Sequence, residues 1–192
     1  MSKVGIFGGT FDPIHLGHLI TAQSVCEIRK LEKIIFIPAF ISPHKSDAQT
    51  SSPKDRLSMI KLAIEGVPFF DYSDLEIKKG GVSYTVDTLR EFNKKYDSLE
   101  FIIGYDNIFS FHTWKDPDEI MKLAKIIVLK RKSSQPPLFK DKYYHEAVFV
   151  QTRGIEISAT DIRERVKHNM PINYLVTPSV MEYIYKQKLY TE

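Results

Sequence analysis

The side chains best suited to chemistry gather near the start of the chain, in Val4-Gly5-Ile6-Phe7-Gly8-Gly9-Thr10-Phe11-Asp12-Pro13-Ile14-His15-Leu16-Gly17-His18. Val4 to Phe7 reads as a short buried strand. Gly8-Gly9 interrupt it, where backbone without Cβ can turn sharply or lie close to a ligand. Pro13 cannot extend a strand ladder, and from Leu16 onward the apolar residues fall at helical spacing (Leu16, Leu19, Ile20, Val25, Ile28). His15 and His18 therefore bracket the first turn of a helix on one face, with Gly17 leaving room between them. A helix N-terminus offers unpaired N–H groups and partial positive charge, which suit phosphate. Two imidazoles there can donate hydrogen bonds to phosphate oxygens as negative charge moves during a reaction. The plain alternative is a pair of accidental surface or capping histidines. The glycine pair, the strand–turn–helix order and the spacing agree on the phosphate reading. A Walker loop would need Gly-Lys-Ser/Thr, and a dinucleotide fingerprint G-x-G-x-x-G; neither is present. A metal centre would need a third His, Cys or carboxylate at ligand spacing nearby, so none is expected.

Further candidates lie along the chain. Ala39 to Ser46, holding His44-Lys45, follows a second strand and reads as a solvated connector or a phosphate contact. Ser83-Tyr84-Thr85-Val86-Asp87 opens a helix with an acid in its first turn. Asp106 stands just past a strand end. It reads either as an acceptor for sugar hydroxyls or as an N-cap. Trp114, the only tryptophan, is a core residue or, among polar neighbours, a ring available for stacking. Ser158-x-x-Asp161 is a capping box at the start of another helix, with Ile162 and Val166 as its buried face. Arg163 adds an always-charged fork suited to phosphate oxygens.

The elements that must hold these groups read as one domain over residues 1–192. A strand, a helix and a second strand at Lys33–Pro38 make a βαβ unit with parallel pairing and a right-handed crossover. Ser52-Pro53-Lys54-Asp55 starts a helix whose buried face is Leu57, Ile60, Ala63 and Ile64. Phe69 to Ile77 is a third strand region, Lys78 to Gly81 a turn, and Val86, Leu89 and Phe92 the stripe of the next helix. Strands follow at Leu99–Ile103, Ile126–Leu129 and Ala147–Gln151, and Thr177-Pro178 begins a terminal helix. The expected architecture is an open parallel sheet with helices on both faces, ordered 3-2-1-4-5 with a further parallel strand and a short C-terminal helical part.

Composition narrows the field. The 192 residues, 43% of them hydrophobic, can bury a real core, and a formal charge of +3 argues against wrapping a polyanion. The basic run Lys130-Arg131-Lys132 has no interleaved aromatics, so no nucleic acid is expected. One cysteine, Cys26, rules out an internal disulfide and suits a reducing compartment, with the thiol packed inside the first helix. No basic-then-apolar leader and no run of about 20 apolar residues are present, so a cytoplasmic protein with no membrane partner is expected. Association into a homo-oligomer stays open.

The opening stretch resembles the GGTFDPIHxGH segment of the nucleotidyltransferases, most closely that of the bacterial nicotinate mononucleotide adenylyltransferases. Ile155 to Arg163 is similar to their I-S-x-T-x-I-R motif, with Ala159 where many members have a second serine. Ser83 to Leu89 resembles S-Y-T-x-D-T-L, and the His44-Lys45 loop resembles P-P-H-K, from which Ala39 to Ser42 depart. The resemblance covers nearly the whole chain. It implies a Rossmann-like α/β fold and adenylyl transfer from ATP to nicotinate mononucleotide, releasing pyrophosphate. It also implies roles: His15 and His18 at the triphosphate and its transition state, with Gly8, Gly9, Thr10 and Phe11 at ATP and Thr10 also at the substrate phosphate. Ser158, Thr160 and Arg163 hold the terminal phosphates, Lys45 bridges phosphates, and Tyr84, Thr85, Asp106 and Trp114 face the mononucleotide. Mg²⁺ is expected to arrive with ATP. A phosphopantetheine adenylyltransferase or a cytidylyltransferase shares the histidine motif, and a nucleotide-binding regulator without turnover is the reading from another class.

Overall fold

A computed structural model describes residues 2–43, 50–130 and 140–191. Six strands form one sheet in the order β3-β2-β1-β4-β5-β6, every neighbouring pair parallel. They are β1 (Lys3–Gly9), β2 (Lys33–Pro38), β3 (Phe70–Tyr72), β4 (Ser98–Gly104), β5 (Lys125–Lys130) and β6 (Val148–Gln151). The expected order holds, and the further C-terminal strand is β6. The helices are α1 (Leu16–Arg29), α2 (Pro53–Ile64), α3 (Leu75–Lys79), α4 (Thr85–Asn93), α5 (Tyr105–Ser110), α6 (Pro117–Leu123), α7 (Lys142–Glu146), α8 (Ala159–Lys167) and α9 (Pro178–Lys186). Among the described residues, no helix is long and apolar enough to cross a membrane.

Strand periodicity divides the apolar residues between two layers. Ile34 and Phe36 of β2 and Phe7 of β1 point into one cluster with residues of α1, α2, α8 and α9. Ile35, Ile37, Val4 and Ile6 point into the other, with residues of α4, α5 and α6 and Tyr143 of α7. A strand buried on both faces reads as a continuous apolar run, as Ile34 to Ile37 does. Far from the carboxyl ends of the strands, Glu100 of β4 is 1% exposed. Arg29 grips it with both prongs at 2.9 and 2.7 Å, and Lys3 adds a third contact at 2.8 Å. Burial opposes its charge, but the hydrogen bonds from Arg29 and Lys3 carry its pKa below the usual carboxylate range.

Three sequence expectations change. Gly8 and Gly9 do not interrupt β1 but end it, in register with Ile37 and Pro38. The region from Phe69 to Ile77 yields only a three-residue strand before α3 begins at Leu75, so Leu75 and Ile77 are helical. The buried stripe of α2 is turned by one position: Arg56 and Met59 stand with Ile60, Ala63 and Ile64, while Leu57 is half-buried. Cys26 is buried in α1 as expected, its thiol donating to Leu31 O.

Candidate active site

The crevice opens where parallel sheets of this order place it, at the carboxyl ends of β1 and β4, from which the chain leaves in opposite directions. Two cavities lie there, about 300 Å³ and about 580 Å³ in volume. Both border the end of β1: Gly8, Gly9 and Thr10 line the smaller, and Phe7 lines the larger together with His15 and His18.

The histidine pair is built as the spacing implied. His15 is the N-cap residue of α1, 7% exposed, and its ring stacks on that of His18 at 3.6 Å between centroids. The backbone N–H of His15 donates to Nδ1 of His18 at 3.3 Å, so the neutral His18 ring carries its proton on Nε2. Burial pulls the pKa of His15 down to about 4, which leaves its ring neutral at pH 7. Gly17 keeps space for the His15 ring: a Cβ there would lie 3.0 Å from His15 Nδ1 and 3.1 Å from Cε1, close enough that the ring would have to give way slightly. One feature differs from the simple picture of a free helix end. The N–H of Leu16 already donates to Leu175 O at 2.9 Å.

The loop before α1 is held from several sides. Phe11 has φ 51, in the left-handed region, and its 3%-exposed ring packs edge-on against His18 at 5.1 Å and against Phe7 and Phe36. What Phe11 can offer a nucleotide is therefore main chain. A Cβ on Gly9 would meet that ring at 3.0 Å, so glycine is needed there too. Arg56, 1% exposed, donates to the carbonyls of Thr10, Phe40 and Ser51 and so ties the ends of β1 and β2 together. The expected buried stripe of α2 did not include Arg56, whose burial appears only in the structure.

Around the smaller cavity stand Tyr84, Thr85, Trp114 and Lys115. Thr85 is the first residue of α4, so that helix start opens here. Trp114 is half-buried against Phe111 and Phe101 and also lines the cavity, so both of its readings hold. The ammonium of Lys115 lies 4.6 Å from the centroid of the Tyr84 ring. Glu76 was not anticipated: it shares this wall and accepts from Thr88 Oγ1 at 2.6 Å. Burial pushes its carboxyl up against the hydrogen bonds of Thr88 and Ser83.

Asp106 departs from its expected place. It lines the larger cavity with His15 and His18 rather than the one with Trp114, because it lies in the first turn of α5 while Gly104 takes the N-cap position. Arg153, which carried no sequence signal, lines the same cavity. Ser158 is the N-cap residue of α8 but makes no side-chain cap hydrogen bond, so the expected box is not formed. Arg163 donates to Asp12 O at 2.8 Å and to Thr160 Oγ1 at 3.2 Å, which fastens α8 to the loop before α1. Lys45, with His44, lies outside the described residues, as does most of the basic run after Lys130. Among the described residues, no group of three or more His, Cys, Asp or Glu is placed to hold a metal ion.

Comparison with known proteins agrees with this architecture. Residues 6–165 match the family model described as cytidylyltransferase-like. A "probable nicotinate-nucleotide adenylyltransferase" of Hydrogenobaculum sp. is 40% identical over 190 residues, spanning 98% of each chain. One from Caldicellulosiruptor bescii is 41% identical over 194 residues, again spanning 98% of each. Among solved structures, the Plasmodium falciparum nicotinic acid mononucleotide adenylyltransferase complexed with NaAD superposes with a TM-score of 0.78 at 19% identity, covering 99% of this chain and 98% of the other.

Proposed function

The chain belongs to the cytidylyltransferase-like family and, within it, to the nicotinate-nucleotide adenylyltransferases, and from that membership we propose how its residues divide the work. The enzyme joins ATP to nicotinate mononucleotide, giving nicotinate adenine dinucleotide and pyrophosphate, a step of NAD biosynthesis. An oxygen of the mononucleotide phosphate attacks the α-phosphorus of ATP, the bond from that phosphorus to the β-bridging oxygen breaks, and pyrophosphate departs with the electron pair. A phosphomonoester has its second pKa near ~6, so the attacking oxygen is already ionised at neutral pH and no general base is needed. Catalysis is then positioning plus charge stabilisation.

The observation that carries the division of roles is the stacked His15–His18 pair lining the larger cavity, with the glycines at the end of β1 lining the smaller. His18, with its Nε2 proton, is the donor to the charge that develops at the α-phosphate. His15 acts as a neutral ring that holds His18 and adds a donor of its own. The larger cavity takes ATP, with Asp106 available to ribose hydroxyls and Ser158, Thr160 and Arg163 at the terminal phosphates. The smaller takes the mononucleotide: Thr10 at its phosphate, Tyr84, Thr85 and Trp114 around its ring, and Lys45 between the phosphates. Mg²⁺ enters as part of the ATP substrate, held by phosphate oxygens and water. A cytoplasmic enzyme with these soluble substrates is the fitting setting.

Nicotinate and nicotinamide have nearly the same shape, so stacking cannot separate them. The group on the ring can: a carboxylate only accepts, whereas a carboxamide also presents an N–H₂. Donors in the wall of the smaller cavity, the N–H groups that open α4 and the Lys115 ammonium beside the Tyr84 ring, suit the acid and oppose the amide. The test is pyrophosphate release from ATP with nicotinate mononucleotide, nicotinamide mononucleotide and phosphopantetheine. Nicotinate mononucleotide should lead the amide by about 10⁴-fold in kcat/KM, the scale set by an opposed hydrogen bond. Equal use of the two mononucleotides would defeat the donor-wall assignment, and preference for phosphopantetheine would defeat the substrate assignment.

A further inference from the structure

The roles above leave one built cluster unused. Asp12, 3% exposed, sits between the glycines of β1 and the histidines of α1, and it is held by three segments remote in sequence. Its Oδ1 accepts from the hydroxyl of Tyr190 at 2.6 Å, and its Oδ2 accepts from the N–H of Ser51 at 3.1 Å. Its carbonyl accepts from Arg163 at 2.8 Å. A carboxylate this buried needs all its donors, because each missing one leaves an uncompensated charge. Tyr190 is the donor from beyond α9, and the Asp12 carboxylate accepts its hydroxyl proton.

We propose that Tyr190 is a positioning residue for the triphosphate end of the site, acting through the Asp12 carboxylate. With the hydroxyl in place, Asp12 has one orientation. Its carbonyl then meets the guanidinium of Arg163, and the chain from Thr10 to His15 has one path. Without the hydroxyl, the carboxylate turns to find water or another donor, and the loop with its arginine loosens together. The walls of the mononucleotide cavity, Tyr84, Thr85 and Trp114, take no part in this contact, and Thr10, which also lines that cavity, keeps its separate anchor to Arg56 at 2.8 Å. The effect therefore falls on ATP. This assignment of phosphates rests on the adenylyl-transfer reading; the restraint on the loop does not.

The experiment compares wild type, Tyr190→Phe, Asp12→Asn and the double variant. Phenylalanine keeps the ring and its packing and removes only the hydroxyl. Tyr190→Phe should melt within a few degrees of wild type and raise the KM for ATP roughly 10-fold, as loss of a hydrogen bond to a charged group implies. The KM for nicotinate mononucleotide should stay within about twofold. In the Asp12→Asn background, removing the hydroxyl should change the KM for ATP by less than about threefold, because coupled residues are not additive. Hydrogen exchange should quicken in residues 10–15 of Tyr190→Phe and stay unchanged in β4 and β5. Equal rises in both KM values, full additivity with Asp12→Asn, or unchanged exchange in residues 10–15 would each overturn the proposal. If wild-type protein released no pyrophosphate from ATP, the adenylyl-transfer reading would fall. The exchange measurement would then still decide whether Tyr190 restrains the loop.

Discussion

A single imidazole shows how much environment decides what a side chain can do. His15 and His18 have the same chemistry, yet the buried one is held neutral, while the other has its tautomer set by a backbone donor. His18→Ala should therefore leave a folded protein whose kcat falls by about 10²–10³-fold, with a much smaller change in KM, the usual cost of one donor aimed at developing charge. Steady-state kinetics with a thermal melt as control checks it. His15 makes a separate prediction about pH. Its folded pKa, about 4, lies below the ordinary 6.5, so the unfolded chain takes up the proton first as pH falls. Stability from this group is complete above pH 6.5 and drains away between 6.5 and about 4, by up to about 3 kcal/mol. Urea unfolding across that window should show a shallower decline in His15→Gln than in wild type. These two residues were legible because type and spacing carried the signal. Asp12 was visible only as part of a string, and Tyr190 not at all, since nothing local marks a tyrosine whose partner lies 178 residues away.

At the scale of elements, the start of α1 trades stability against geometry. Gly17 is inside a helix, where alanine would ordinarily add about 0.5–1 kcal/mol. Here the added Cβ would press on the His15 ring and shift it by a few tenths of an ångström against His18. Gly17→Ala should lose at least about tenfold in kcat while its melting temperature stays level or rises, the divergence expected where a residue serves the site rather than the fold. Helix α8 gives the second prediction at this scale. Arg163 already spends hydrogen bonds on Asp12 O and Thr160, and the proposed function gives its remaining capacity to the triphosphate. Arg163→Ala should weaken ATP binding by roughly 10–100-fold and mononucleotide binding much less, with Arg163→Lys recovering only part, because an ammonium lacks the fork. Calorimetric titration of each substrate would separate the two; equal losses would mean that α8 faces something else. Elements with strong periodicity were readable, α1, α2 and α4 among them. The stretch from Phe69 to Ile77 was not, because its short apolar runs fit strand and helix alike until the turn after β3 commits the chain.

On the scale of the whole molecule, alternating strands and helices with right-handed crossovers leave only a few orders for a parallel sheet, which is why the observed one could be anticipated. The partition of the crevice into two cavities could not. Asp106 and Trp114 are close in sequence, but the turn through α5 sends one to each side of the end of β1. The same distribution of contacts has a consequence for how the molecule is made. The contacts that finish the end proposed for the triphosphate join residues 12 to 163, 16 to 175 and 12 to 190, whereas the strand pairings from β1 to β5 lie wholly before residue 131, with one face of the sheet still to be covered by α8 and α9. During synthesis, at about 5–20 residues per second, the scaffold can assemble seconds before the segment from α8 to Tyr190 has left the ribosome. A nascent chain can thus pair most of its strands before it holds the residues proposed to grip a triphosphate. The grip comes last.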